Sequence, residues 1–421
     1  MVKIHPRSGY LTMINRKLIS ELNAALNDTP VVFLAGARQT GKSTLVHHLA
    51  EEGYAAQYIT FDDYTYLSAA KADPQGFVAG LPSKVIIDEV QRVPEIFLAI
   101  KASVDKKKEP GQFLLAGSAN ILLIPRIADS LAGRIEIQTL WPFSQCELKN
   151  GNGDLIGTLF NGDQLPSVAS IDDSELWEMV ISGGYPEAVS RPDQNRKNAW
   201  FRNYVNTLLQ RDIREIAHID GLTVMPNLLN LLAARTANLL NYADLSRSIQ
   251  IPQTSLKRYI TLLESIFIVN KIMPWSNNFN KRLTKAPKIH LNDTGLLSYF
   301  LGISAKRLSE DRTLAGQFLE TFVVNEILKL SSWSKTHPNV YYFRTTSGRE
   351  IDIILEDARG KCVAIEVKAS TTLNVKDVEG IKFFRDALGD KFVRGLIIYT
   401  GKGFIPFQND IHAVPVSVLW N

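Results

Sequence analysis

Val31-Val32-Phe33-Leu34-Ala35-Gly36-Ala37-Arg38-Gln39-Thr40-Gly41-Lys42-Ser43-Thr44 decides the reading of this chain. An apolar, β-type run leads into Gly-x-x-x-x-Gly-Lys-Ser, and a helical pattern follows over 44–49. Strand, glycine-bounded loop and helix in that order make a phosphate cradle. Gly36 and Gly41 leave the backbone free to curl successive N–H groups around the β- and γ-phosphates of a nucleotide. The positive N-terminal end of the helix adds to the same field. Lys42 supplies a compact cation, and Ser43 offers a hydroxyl to Mg²⁺. Gly36, Ala37, Arg38, Gln39, Thr40, Gly41, Lys42, Ser43 and Thr44 are thus the candidate ATP contacts, with Ser43 also a candidate metal ligand.

A site of this kind needs an acid on a neighbouring strand. Lys84-Val85-Ile86-Ile87-Asp88-Glu89 supplies one, its β-branched run reading as a strand buried on both faces of a parallel sheet. Asp88 is expected to hold Mg²⁺ directly or through water. Glu89, one residue on, is placed to orient and polarise an attacking water. Hydrolysis of the nucleotide, not binding alone, is the expectation.

Outward from this pair, 57–63, 112–120 and 135–140 read as further strands and 97–104 as a helix. Strands alternating with helices imply an α/β fold with a parallel sheet, its ligand at the C-terminal strand ends. Those ends carry the glycine loop, Asp88 and the polar tip Ser118/Asn120. Leu11, Ile14, Leu18, Ile19, Leu22 and Leu26 mark a helical face over 10–26, which Asn27-Asp28-Thr29-Pro30 breaks.

The 421 residues suffice for two or three cores. Hydrophobic content of 45% and charged content of 21% describe a soluble globular chain. A net charge of +4 and a pI near 8.8 permit contact with nucleic acid without requiring it. Cys146 and Cys362, the only cysteines, provide neither a disulfide framework nor a metal cluster. No secretory or bilayer-spanning apolar run is evident, so a cytoplasmic protein without membrane partners is expected.

Gly36 to Ser43, Asp88-Glu89-Val90-Gln91, Gly117-Ser118 and Ser130-Leu131-Ala132-Gly133-Arg134 together resemble prokaryotic AAA+-type ATPases with an uncharacterised C-terminal domain. Gly183-Gly184-Tyr185-Pro186-Glu187, Arg211-Asp212-Ile213 and Lys285-Ala286-Pro287-Lys288 fit the same resemblance, which covers nearly the whole chain. It implies that Ser118 or Asn120 is a polar sensor of the bound phosphate. It also implies that Arg134, with Arg126 as competitor, reaches a neighbouring subunit's γ-phosphate. A homo-oligomer or partner-protein assembly would then be the working form.

Beyond a loop-rich 146–170, residues 173–218 read as helical with a turn at 183–186. Trp200 and Tyr204 are read as a core pair there, and His218 has no companion at ligand spacing. Within 226–275, three helices and a β-type run have the spacing of a winged helix. On such a module Ser255, Lys257 and Arg258 would face a DNA major groove. Lys281, Arg282, Lys285 and Lys288 follow as candidate phosphate contacts. The implied division is an N-terminal helix over 1–29, an ATPase domain over 30–145, a helical region over 146–224, a winged-helix unit over 225–290 and a C-terminal α/β domain over 291–421.

That last domain has its own constellation. Residues 348–355 and 362–368 read as alternating strands around a turn at 357–360, with Glu366 and Lys368 on one face. Regular pairing brings Asp352 beside Glu366, and Glu320 on an upstream helix offers a third acid. Carboxylates around a divalent cation with a nearby lysine suit metal-dependent phosphodiester hydrolysis. Glu320, Asp352, Glu366 and Lys368 resemble the PD-(D/E)xK restriction-endonuclease-like superfamily. The resemblance implies Glu320, Asp352 and Glu366 as metal ligands, and Asp352, Glu366 and Lys368 as catalytic groups. Two functions remain open: an ATP-driven enzyme acting on DNA, or an ATP-switched interaction protein whose nuclease-like domain is an inactive docking platform.

Overall fold

A computed structural model describes residues 2–4, 12–118, 133–166, 169–212, 222–278, 280, 282 and 285–421. Two short strands, β1 (Val2–Ile4) and β2 (Thr12–Ile14), pair antiparallel ahead of helix α1 (Ile19–Asp28). The helix expected over 10–26 therefore begins later, because Thr12–Ile14 is drawn into a hairpin.

Five parallel strands follow: β3 (Val31–Ala35), β4 (Gln57–Thr60), β5 (Val85–Asp88), β6 (Phe113–Gly117) and β7 (Ile135–Thr139), in the order β4-β5-β6-β3-β7. β3 lies inside the sheet, with every residue buried. Its period of two splits the core. Val32 and Leu34 face α1 and α2 (Lys42–Glu51) through Leu22, Leu26, Leu45 and Val46. Val31, Phe33 and Ala35 face the opposite layer, which includes Phe97 and Ile100 of the helix Ile96–Lys106. Each fully buried side chain of this size contributes about 1.5–3 kcal/mol, so this alternation fixes the strand's register.

The helices Asp173–Ser182, Pro186–Val189 and Gln194–Thr207 then lead to the helix Met225–Ala234. A second, mixed sheet starts with β8 (Asn238–Leu239), β9 (Val269–Pro274) and β10 (Lys288–Leu291). It continues through β11 (Asn339–Arg344), β12 (Glu350–Glu356), β13 (Cys362–Lys368), β14 (Phe392–Tyr399), β15 (Ile405–Gln408) and β16 (Ile411–Pro415). Its nine strands run β15-β16-β14-β13-β12-β11-β9-β10-β8. The join is the parallel pairing of Tyr341 and Tyr342 with Met273 and Pro274. One sheet thus runs from 238 to 415, across the division drawn at residue 290. A long helix, Arg312–Trp333, contacts both β10 and β13 and carries a mostly buried surface. No described helix is long and apolar enough to cross a membrane.

Two glycines bring the helical region onto the first sheet. Gly183 has φ +65°, and a Cβ there would stand 2.1 Å from Asp293 Oδ1. At Gly184 a Cβ would meet the Phe143 carbonyl oxygen at 2.2 Å. Asp293 Oδ2 accepts from Gly184 N at 2.7 Å, and Gly184 O accepts from Phe143 N at 2.8 Å. The Gly183-Gly184 turn is therefore clamped between the strand end after β10 and the segment after β7.

Candidate functional site

The loop after β3 turns into α2 through Gly41, whose φ of 95° lies in the left-handed region that favours glycine. Gly36 is required by close approach: a Cβ would stand 2.4 Å from the Leu140 carbonyl oxygen. Lys42 is buried and donates to the carbonyls of Gly36 and Ala37, each at 2.9 Å. Thr40 Oγ1 donates to Ala37 O at 2.9 Å, closing the loop from within. Ser43 and Thr44 are exposed at the start of α2.

Below the loop lies a residue that sequence reading missed. Arg16 is only 3% exposed, yet its guanidinium meets Thr40 O at 3.0 Å, Trp141 O at 2.6 Å and Glu147 Oε1 at 2.9 Å. It also stands 4.7 Å over the Phe143 ring. Glu147, in a capping box with Ser144, is itself buried. From there the buried polar contacts continue: Gln145 N donates to Glu326 Oε2 at 2.7 Å, and Lys329 Nζ reaches Glu326 Oε1 at 2.7 Å and Phe143 O at 3.0 Å. The long C-terminal helix is thus hydrogen-bonded to the segment that supports the glycine loop.

Asp88 ends β5 in the buried layer. Its Oδ1 accepts from Glu89 N at 2.9 Å and its Oδ2 from Tyr58 on β4, also at 2.9 Å. Glu89 has φ 55° and ψ 36°, an uncommon conformation for this residue type. Gln91 holds it: Nε2 donates to Glu89 Oε2 at 2.5 Å and to Ser118 Oγ at 3.1 Å. Burial pushes the Glu89 carboxyl above the usual carboxylate range, with Lys42 opposing the shift. Ser118 is therefore linked to Glu89 through Gln91, while Asn120 and Arg126 lie outside the described residues.

Facing the loop across a cavity of about 600 Å³ are Glu187, Arg191 and Trp200 from the helical region. Arg38, Gln39, Gly41, Lys42, Ser43, Thr44 and Glu89 line the other side. Arg191 lies 3.5 Å from Glu187, and its buried Nε has no hydrogen-bond partner among the described residues. Trp200 is stacked on Tyr204, with ring centroids 5.0 Å apart, and both are buried. The volume and the donor set, an ammonium, a hydroxyl and two carboxylates around a glycine loop, fit a magnesium–nucleotide complex. Arg134 is elsewhere. It precedes β7, one residue before the level of Val31, roughly 20 Å along the strands from Gly36, and pairs with Asp105 at 2.5 Å.

The second constellation forms differently from the sequence expectation. β12 and β13 pair antiparallel through Ile353 and Ile365, which sets Asp352 level with Glu366. Asp352, however, meets Lys288 of β10, whose Nζ lies 3.2 Å from Asp352, 2.7 Å from Glu320 and 2.5 Å from Glu350. Burial alone would lower the Lys288 pKa, yet the three acids together hold it above the ordinary value. Asp352 Oδ2 accepts from Val367 N at 2.9 Å. Glu366 pairs with Lys368 at 2.7 Å, and its Oε2 is buried without a partner among the described residues. Burial, then Asp352, push the Glu366 carboxyl up to about 8. No group of three or more His, Cys, Asp or Glu among the described residues is arranged to hold a metal ion. The expected metal set of Glu320, Asp352 and Glu366 is therefore divided: two of its acids surround Lys288, and Glu366 turns to Lys368.

Of the DNA-facing candidates, Lys257 and Arg258 are exposed and Ser255 is half-buried on the helix Gln253–Ser265. Lys281 is outside the described residues. Arg282 is buried against Glu356, and Lys288 is buried in the acids, so neither is a surface phosphate contact.

This parallel sheet, with its glycine loop and an acidic strand end, defines a P-loop ATPase domain of AAA type. Residues 28–149 match a family model described as an AAA domain, and 173–307 and 315–419 match two domains of unknown function, DUF8612 and DUF4143. An uncharacterized protein of Mycobacterium tuberculosis is 31% identical over 98% of this chain and 86% of its own length. One from Methanocaldococcus jannaschii is 22% identical over 97% of this chain and 90% of its own length. The chain belongs to this family of AAA-domain proteins with DUF8612 and DUF4143 regions. Among solved structures, Thermotoga maritima RuvB superposes with a TM-score of 0.31 at 17% identity, over 61% of this chain and 90% of that one. Aquifex aeolicus DnaA gives 0.26 at 13% identity, over 62% and 91%.

Proposed function

We propose that the protein is a Mg²⁺-dependent ATPase that uses nucleotide state to change its engagement with a partner or with further copies of itself. The observation that carries this reading is the cavity itself, walled by the glycine loop and Glu89 on one side and by Glu187, Arg191 and Trp200 on the other. Lys42 would neutralise phosphate charge there, and Ser43 with Asp88 would hold the cation. Bound ATP supplies the phosphoanhydride that is hydrolysed. Glu89, fixed by Gln91 to Ser118, would orient water and accept its proton. Arg191 reaches into the cavity from the chain's own helical region, so nucleotide binding can pull that region towards the loop. Arg134 stands too far from its own subunit's loop, and its role as an arginine finger calls for a neighbouring copy. Mixing Arg134→Ala with Lys42→Ala protein tests this, since a shared site regains activity in the mixture and a separate one does not.

The unit made of the helices Met225–Ala234, Tyr242–Ile249 and Gln253–Ser265 with β8, β9 and β10 has the element order of a winged helix, which supports DNA as a candidate partner. The Lys288 contacts favour the docking platform over a DNA-cleaving C-terminal domain. ATP hydrolysis measured with and without duplex DNA separates the two partner classes. Stimulation by DNA assigns the exposed Lys257/Arg258 face to nucleic acid, and indifference assigns the nucleotide switch to protein contacts.

A further inference from the structure

Lys288 lies on the short strand β10 and is 2% exposed, in the middle of acids contributed by a helix and by β12. An ammonium has three N–H donors, and three carboxylates receive it: Glu320 at 2.7 Å, Glu350 at 2.5 Å and Asp352 at 3.2 Å. Two of their remaining oxygens have further neighbours. Asp352 Oδ2 takes the Val367 N–H at 2.9 Å, and Glu350 Oε2 stands 3.6 Å from Arg344. A Mg²⁺ or Mn²⁺ ion requires near-octahedral oxygen ligands at about 2.0–2.1 Å and keeps several waters. An ion ligated by Glu320, Glu350 and Asp352 together would have to stand where the ammonium nitrogen stands.

We propose that Lys288 is a built-in cation occupying the centre of this carboxylate cluster, so that the cluster is closed to divalent metal and acts as an ionic lock joining β10 to β12 and to the helix Arg312–Trp333. The lock has a place in the chain's wiring. Five residues beyond Lys288, Asp293 clamps the Gly183-Gly184 turn, and the helix that follows this turn lines the nucleotide cavity.

The test is Mn²⁺ titration of the nucleotide-free full-length protein, read as free Mn²⁺ by electron paramagnetic resonance and as the shift in melting temperature. Wild type and Asp352→Asn should bind Mn²⁺ identically, because Asp352 holds no metal. Lys288→Ala should gain about one equivalent, lose it again in the Lys288→Ala/Asp352→Asn double variant, and be stabilised by Mn²⁺ where wild type is not. An equivalent of Mn²⁺ on wild type that Asp352→Asn removes would overturn the proposal. So would a folded Lys288→Ala that gains none. If Lys288→Ala does not fold, the wild-type and Asp352→Asn comparison still decides the point.

Discussion

Replacing Arg16 by alanine tests whether the glycine loop is held from below. The change deletes contacts to Thr40 O at 3.0 Å, Trp141 O at 2.6 Å and Glu147 Oε1 at 2.9 Å. It also leaves Glu147 buried, with Lys17 N, Ser144 N and the Ser144 hydroxyl as its remaining donors among the described residues. Breaking a buried ion pair by removing one partner costs about 3–5 kcal/mol. The donors that remain on Glu147 place Arg16→Ala near the lower end, about 3 kcal/mol. Arg16→Met/Glu147→Met removes both charges and should recover much of that loss. Urea unfolding followed by tryptophan fluorescence reads the free energy from midpoint and slope, and titration with a fluorescent ATP analogue reads the loop. An unfolding free energy within about 1 kcal/mol of wild type, with unchanged nucleotide affinity, would show that Arg16 does not hold the loop.

Gly36→Ala drives a Cβ to 2.4 Å from Leu140 O, so the loop or β7 must shift; we expect a loss of about 1–3 kcal/mol by urea unfolding and weakened nucleotide binding. Arg191→Ala should weaken ATP more than ADP in equilibrium titrations, if its guanidinium serves the terminal phosphate; equal losses would assign it a structural role. His290 is fully buried, and burial, then Lys288, lower its pKa to about 3. Its neutral form is therefore the folded one. Stability should be complete above pH ~6.5 and fall as pH drops towards 3, by up to about 1.4 kcal/mol per pH unit. His290→Gln should flatten that slope in unfolding curves taken between pH 4 and 7.

The parts of the site that were legible in the sequence are those fixed by local spacing. Gly36 to Ser43 and the acid at the end of β5 announce themselves, because loop and strand end are each contiguous. The sheet was equally readable, since apolar runs alternate with helical ones. What could not be read arrives from a distance. Arg16 is 131 residues from Glu147, and Lys288 is 64 from Asp352. Neither has a pattern around it that distinguishes a buried cation from a solvated one. In the sequence Lys288 reads as a candidate phosphate contact, and only the fold shows that β10 turns it into the acids. The strand at Thr12–Ile14 escaped for a related reason: its apolar residues share a helical spacing with α1, and only pairing with Val2–Ile4 separates them. Gln91 was visible inside Asp88-Glu89-Val90-Gln91, but its bridge from Glu89 to Ser118 depends on β5 and β6 being neighbours.

Whether the glycine loop and Glu89 form a working ATPase is read from ATP turnover by wild type, Lys42→Ala and Glu89→Gln, paired with ATP binding on the same samples. Wild type should hydrolyse ATP in a Mg²⁺-dependent way, and Lys42→Ala should show neither binding nor turnover. Glu89→Gln should bind ATP normally yet turn over at least ~10²-fold more slowly, as the loss of a group that activates water requires. Equal turnover by wild type and Glu89→Gln would contradict the assignment of Glu89, and ATP binding that survives Lys42→Ala undiminished would contradict the site itself.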